Sequence, residues 1–179
     1  MQENIKMEVD EYTPNSKYEA VLIWVYKRKK LYLCMRLISY LIVAFSALSF
    51  ILRLIYLLPD AYLRAVELLV ITGVPFVIVS VMRKLINAPR PYELLHVYSD
   101  KPKSKAGQSF PSRHVFSAFI IAVVLIPWNV AVGVVLLFLG VLLAVIRVLL
   151  GIHFVRDVVA GALIGAASGL LGLLITHLI

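Results

Sequence analysis

Long apolar runs separated by short polar islands organise this chain. Four stretches carry no charged residue: Leu37–Leu52, Leu68–Met82, Val115–Ile146 and Val158–Ile175. Crossing a hydrocarbon core of about 30 Å takes ~20 residues of helix. The first run reaches that length if it extends to Leu58 with Arg53 snorkelling, and the second if it starts near Leu63 with Glu67 paired. The third is too long for one span and is interrupted by Pro127-Trp128-Asn129, where a proline, an interfacial aromatic and an asparagine predict a tight turn. The pattern predicts an all-α integral membrane helix bundle of about five transmembrane helices, at roughly 35–58, 62–84, 112–127, 130–150 and 155–178. The third of these, about 24 Å long at helical rise, should keep one end inside the protein.

Residues 34–179 form this membrane domain, and residues 1–33 differ from it. Met1–Ser16 is acidic, with the composition of a disordered segment, and shows no cleavable signal peptide. Lys17–Leu33 holds the apolar run Ala20–Tyr26 followed by Lys27-Arg28-Lys29-Lys30. Seven apolar residues cannot span, so this is either an N-terminal interfacial helix with a basic end or a plain basic stop before the first span. Asn87–Phe110 is the one long polar loop, with Lys101, Lys103 and Lys105 near its middle. Gly161, Gly165, Gly169 and Gly172 on the last helix give two overlapping GxxxG spacings, which let another helix approach closely.

Composition sharpens this picture. A chain that is 61% hydrophobic and 16% charged, with mean hydropathy +0.93, is not an ordinary soluble domain. The net charge of +8 would suit nucleic acid or anionic lipid, but nearly all the cations flank membrane spans, which selects the bilayer. The single cysteine, Cys34, excludes an internal disulfide and any cysteine-based metal cluster. With five spans, all of the 18 Lys and Arg residues except Arg53 and Arg64 fall on the side of the Asn87–Phe110 loop. The positive-inside rule then places that face in the cytoplasm of a multi-pass cell-membrane protein.

Three polar islands sit at the edges of the apolar runs: Arg83 to Pro91, Pro111 to His114, and Arg147 to Asp157. Ionisable groups at a hydrocarbon boundary are costly unless they face one another or a polar cavity, so they mark a site. Many arginines with two histidines suit a bound phosphate undergoing transfer. In the last island His153 and Asp157 are four apart and share a face if the helix starts at or before His153. A carboxylate there can orient one ring nitrogen and leave the other as nucleophile. In the middle island Ser112 is a natural N-cap, the helix N-terminus favours a phosphate, and His114 in the first turn could protonate a leaving oxygen. In the first, Arg83 or Lys84 closes a helix, and Arg90 stands in a stiff Pro-x-Pro segment suited to holding a bidentate phosphate ligand. Taken singly, each has a blander reading: an interfacial histidine, a snorkelling arginine, a plain cap, a basic helix end.

Together, in this order, they resemble the type 2 phosphatidic acid phosphatases, or lipid phosphate phosphatases, which share a site with vanadium haloperoxidases. That family's K-x6-R-P, P-S-G-H and S-R-x5-H-x3-D correspond here to R-x6-R-P (Arg83, Arg90, Pro91), P-S-R-H (111–114) and I-R-x5-H-x3-D (Arg147, His153, Asp157). The resemblance implies that His153 takes the phosphoryl group, that Asp157 orients it, and that His114 is the acid to the leaving group. It further implies that Arg83, Arg90, Ser112 and Arg147 hold the phosphate oxygens, with Lys84 a partial stand-in for the family lysine. Arg113 in place of glycine adds charge at the pocket mouth, and Ile146 replaces a serine. The expected activity is hydrolysis of a lipid phosphate or diphosphate of the undecaprenyl diphosphate, phosphatidylglycerol phosphate or phosphatidic acid class. It needs no metal and no other cofactor, and no nucleic acid partner. The alternatives are a haloperoxidase-like vanadate site, and a non-enzymatic lipid-binding or assembly protein that has kept the motif. A transporter would call for ionisable residues at mid-membrane, whereas these lie near helix ends.

Overall fold

The computed structural model describes residues 16–94 and 107–178, and the acidic N-terminus and Lys101, Lys103 and Lys105 lie outside the described residues. Seven helices follow in order: α1 Lys17–Lys27, α2 Lys29–Leu57, α3 Tyr62–Ile86, α4 Pro91–Leu94, α5 Arg113–Leu125, α6 Val130–Leu149 and α7 Val155–Leu178. The protein is an all-helical membrane bundle. Among the described residues α2, α3, α6 and α7 are long and apolar enough to cross a membrane, and α5 is a shorter apolar helix of 13 residues. At about 20 Å α5 falls short of a bilayer, as its interrupted run suggested.

The basic N-terminal segment is resolved into two helices. Ser16 caps α1 by accepting from the Glu19 amide at 3.2 Å, and the chain breaks at Arg28 before continuing as α2. Residues 29–33 therefore belong to the first long helix, which starts six residues earlier than the hydropathy boundary. Its added turns are basic and amphipathic, so hydropathy alone undercounts them. α1 buries Leu22, Ile23 and Val25 and packs against Tyr32 and Tyr92, while Trp24 and Arg28 face outward with the guanidinium 3.9 Å from the indole centroid. An outward Trp–Arg pair beside a buried apolar face suits the membrane interface.

α5 is the hub. Eight of its residues are buried, including Val115, Phe116, Ile120 and Leu125, because α2, α3, α6 and α7 surround it. A helix apolar on every side has no face to offer water and belongs inside. The outer helices invert the soluble pattern and expose Leu41, Val77, Phe138 and Leu163. Lipid tails are as apolar as leucine, so close packing rather than water exclusion must hold such helices together. The glycines of α7 supply it. A Cβ on Gly161 would lie 2.6 Å from the Ser112 carbonyl oxygen, one on Gly165 would strike the Phe116 backbone, and one on Gly169 would touch Val123 at 3.0 Å. Gly172 meets Ile71 of α3 instead. The stripe continues upward one turn to Asp157, so the contact that packs α7 on α5 also sets the height of the candidate orienting carboxylate.

Candidate active site

The three polar islands meet at one end of the bundle, around the loop that leads into α5. Asn87 ends α3 in a left-handed conformation (φ 43°), which asparagine tolerates better than other non-glycine residues. Gly107 (φ 72°) sits against it so tightly that a Cβ would overlap the Asn87 side-chain oxygen. The Gly107 amide donates to Glu93 Oε1 at 2.7 Å, and its carbonyl accepts from Arg90 Nε at 2.9 Å. The Ser109 amide donates to the Ala88 carbonyl at 2.9 Å. Arg83, buried in the last turn of α3, donates through Nη1 to the Pro111 carbonyl and makes a longer 3.5 Å contact to that of Ser109. Arg83 and Arg90, expected as phosphate ligands, thus also hold the loop by its backbone.

On the other side, the turn from α6 to α7 carries Arg147 and His153. The Arg147 carbonyl accepts from the amides of Ile152 (3.1 Å) and His153 (3.3 Å), and Gly151 (φ 62°) supplies the left-handed step that closes the turn. α7 begins at Val155, so His153 lies just before the helix rather than on it. Asp157, in the first turn, reaches back to accept from the Phe154 amide at 3.0 Å, the carboxylate half of a capping box. Its backbone carbonyl accepts from the Ser112 amide at 2.8 Å, which locks the two islands together.

The expected direct bond between Asp157 and His153 is replaced by a bridge. Nδ1 of His153 is 3.7 Å from Asp157 Oδ2, too far for a hydrogen bond. Ser109 Oγ lies between them, 2.5 Å from Oδ2 and 3.3 Å from Nδ1. Both bridging contacts are made when the serine donates to Asp157 Oδ2 and Nδ1–H donates to the serine, while the buried Asp157 Oδ1 has no hydrogen-bond partner among the described residues. Nε2 then keeps its lone pair. Burial pushes the His153 pKa down to about 4, with Arg90 and Arg83 adding to the effect and the negative Asp157 opposing it, so the ring is neutral at pH 7. Sequence reading missed Ser109. A hydroxyl three residues before Ser112 carries no local signal, and its role appears only when the loop is laid on α7.

Ser112 occupies the N-cap position of α5, yet its side chain makes no cap bond. Its buried Oγ has no hydrogen-bond partner among the described residues, and neither do Arg147 Nε and Nη2. Burying a guanidinium edge and a hydroxyl without partners is costly unless an anion meets them. His114, half-buried, lies within electrostatic reach of Arg147, His153, Arg113 and Arg83. Two other expected ligands are exposed: Lys84 beside the buried Arg83, and Arg113, whose guanidinium lies 5.5 Å from the Phe76 ring centroid. Adjacent side chains on a helix do not share one face, so Lys84 and Arg83 are directed differently. Among the described residues no cluster of His, Cys, Asp and Glu could hold a metal ion.

An apolar crevice of about 330 Å³ opens from His114 between α2, α3 and α5, lined by Val43, Ala47, Phe50, Phe76 and Phe116 among others. Ser46 and Thr72 also line it, but their hydroxyls donate to their own helix at the carbonyls of Ile42 (2.9 Å) and Leu68 (2.8 Å). Apart from His114 and Ser117 the lining is therefore hydrocarbon-like.

No curated protein matches the sequence. Among solved structures, the crystal structure of Aquifex aeolicus LpxE is similar in fold, with TM-score 0.63 and 24% identity over 96% of this chain and 93% of that one. The crystal structure of a transmembrane PAP2-type phosphatidylglycerolphosphate phosphatase from Bacillus subtilis is also similar, with TM-score 0.67 and 22% identity over 98% of this chain and 93% of that one. The family model of the PAP2 superfamily matches residues 64–178, the stretch that holds all three polar islands, and the chain belongs to that superfamily.

Proposed function

We propose that this protein is a membrane phosphatase that hydrolyses a lipid phosphate or diphosphate through a phosphohistidine at His153. The observation that carries the reading is the buried donor set of Ser112 Oγ, Arg147 Nε and Arg147 Nη2, without partners among the described residues, on the same polar islands as a neutral, oriented histidine. Nε2 of His153 attacks phosphorus in line, forming the P–N bond as the bond to the leaving oxygen breaks. His114 gives that oxygen its proton. The charge that spreads over the equatorial oxygens meets Arg147 and Ser112, and donors fixed in place before the reaction stabilise it best. Water then attacks phosphorus, giving its proton to His114 as the P–N bond breaks. The apolar crevice beside His114 suits a leaving group with a hydrocarbon chain, such as undecaprenyl phosphate or diacylglycerol. The B. subtilis structure's name, a phosphatidylglycerolphosphate phosphatase, makes that headgroup a further candidate.

The test is phosphate release by the purified protein from undecaprenyl diphosphate, phosphatidic acid and phosphatidylglycerol phosphate, with chelator present throughout. Turnover of at least one is expected to persist in chelator, with inhibition by vanadate, which mimics five-coordinate phosphorus. Activity lost in chelator and restored by magnesium would refute the metal-free mechanism, and no release from any lipid would favour a binding role.

We further propose that the site faces the cytoplasm, on the charge asymmetry that leaves Arg53 and Arg64 on the opposite side. A cysteine at the exposed position 29, in a Cys34→Ser background, should resist an impermeant thiol reagent in intact cells and react after permeabilisation. Labelling of intact cells would reverse the orientation.

A further inference from the structure

The catalytic turn is gripped by a residue 130 positions upstream. Tyr18, on the inner face of α1, donates its hydroxyl to the Val148 carbonyl at 3.2 Å. That carbonyl also accepts from the Gly151 amide at 2.9 Å, so it sits at the centre of the turn. The Tyr18 ring packs on Phe154, with centroids 6.4 Å apart and planes tilted by 42°. Tyr18 therefore touches one residue beyond Arg147 and one residue beyond His153. α1 is held against the bundle by Leu22, fully buried, and Val25.

On the phosphatase reading above, we propose that Tyr18 is a positioning residue that fixes the Arg147–His153 turn, making α1 a clamp on the active site. One contact at each end of the turn, at Val148 and at Phe154, restricts both its height and its twist. Nucleophile and phosphate ligand then keep their separation as the phosphoryl group passes between them. Burial and the nearby charge of Asp157 push the phenol up to about 12, so the hydroxyl stays protonated and remains a donor at working pH. The Phe154 amide completes the linkage, since it donates to the same Asp157 oxygen that Ser109 contacts. A shift of Phe154 would be felt by the carboxylate and, through Ser109, by the His153 ring.

Tyr18→Phe keeps the ring contact and removes the hydrogen bond. In the full-length protein, kcat per vanadate-titrated site should fall about tenfold with KM within about twofold, the signature of a misplaced reacting group rather than lost binding. Tyr18→Ala, which also removes the packing on Phe154, should fall further. Ring-nitrogen NMR of His153 gives a reading independent of turnover: the parent should hold the Nδ1–H tautomer, and Tyr18→Phe should populate both. An unchanged tautomer in Tyr18→Phe would overturn the proposal whether or not the phosphatase reading stands. So would a loss of turnover fully accounted for by fewer titratable sites. A parent with the expected tautomer but no phosphate release would count against the phosphatase reading alone.

Discussion

His153→Ala should lower turnover by roughly 10³-fold or more in protein that remains folded, because residues acting as one unit fail together. The side chain is 2% exposed and Ser109 lies at hydrogen-bonding distance from Nδ1, so its environment is organised around one ring nitrogen. Asp157→Asn should also be severe: an amide can reproduce the acceptance from Phe154 or the contact with Ser109, but not the charge that favours the Nδ1–H tautomer. Ser109→Ala should be milder than either, since a water could occupy the bridge. The pH profile has a defined sign. With a pKa depressed to about 4, His153 loses its lone pair only below that pH, so activity attributable to the nucleophile should be level through neutrality and fall in acid. The check is single-turnover phosphate release, together with trapping of acid-labile phosphohistidine in the parent. Turnover of His153→Ala within about tenfold of the parent would remove it as nucleophile.

The spans were readable from sequence because hydropathy measures directly what the bilayer requires, and four of the five helices are uncharged over most of their length. The central place of α5 was less readable. Its 13 residues are apolar all round, which says that the helix is buried but not by what. The motifs located Arg147, His153 and Asp157, since family spacing fixes positions along the chain. They did not give the contacts across it. Ser112 was expected to cap α5, and instead the hydroxyl is left with no partner among the described residues while its amide donates to the Asp157 carbonyl. The four-residue spacing of His153 and Asp157 suggested a shared helical face, yet α7 starts between them and Ser109 bridges the gap. The glycine stripe read correctly as packing, and only the structure shows that this packing seats Asp157 against the Ser112 loop.

Arg147→Met should lower turnover by on the order of 10²–10³-fold, the usual cost of removing one donor from a transition-state cradle, while leaving the fold as stable as the parent or more so. The two effects have one origin. Arg147 is 6% exposed, and its Nε and Nη2 have no hydrogen-bond partner among the described residues. A buried cation whose hydrogen bonds are incomplete is a burden on the folded state, and replacing such groups with apolar ones of similar volume is often neutral or stabilising. A methionine keeps the bulk against the turn and discards the charge. If Arg147 served only to hold the α6–α7 turn, the substitution would instead lower stability and activity together. Arg147→Lys separates charge from shape: an ammonium cannot present the paired Nε and Nη2 donors, so most of the loss should remain although the charge is restored. Vanadate affinity should weaken in the order parent, Lys, Met, because vanadate engages the same donors. Thermal unfolding in detergent, read beside kcat and the vanadate inhibition constant, decides the matter. A variant with a lower melting temperature, parental vanadate affinity and a loss of turnover matched by its loss of folded protein would make Arg147 a structural residue and leave the phosphate to Arg83, Arg90 and Ser112.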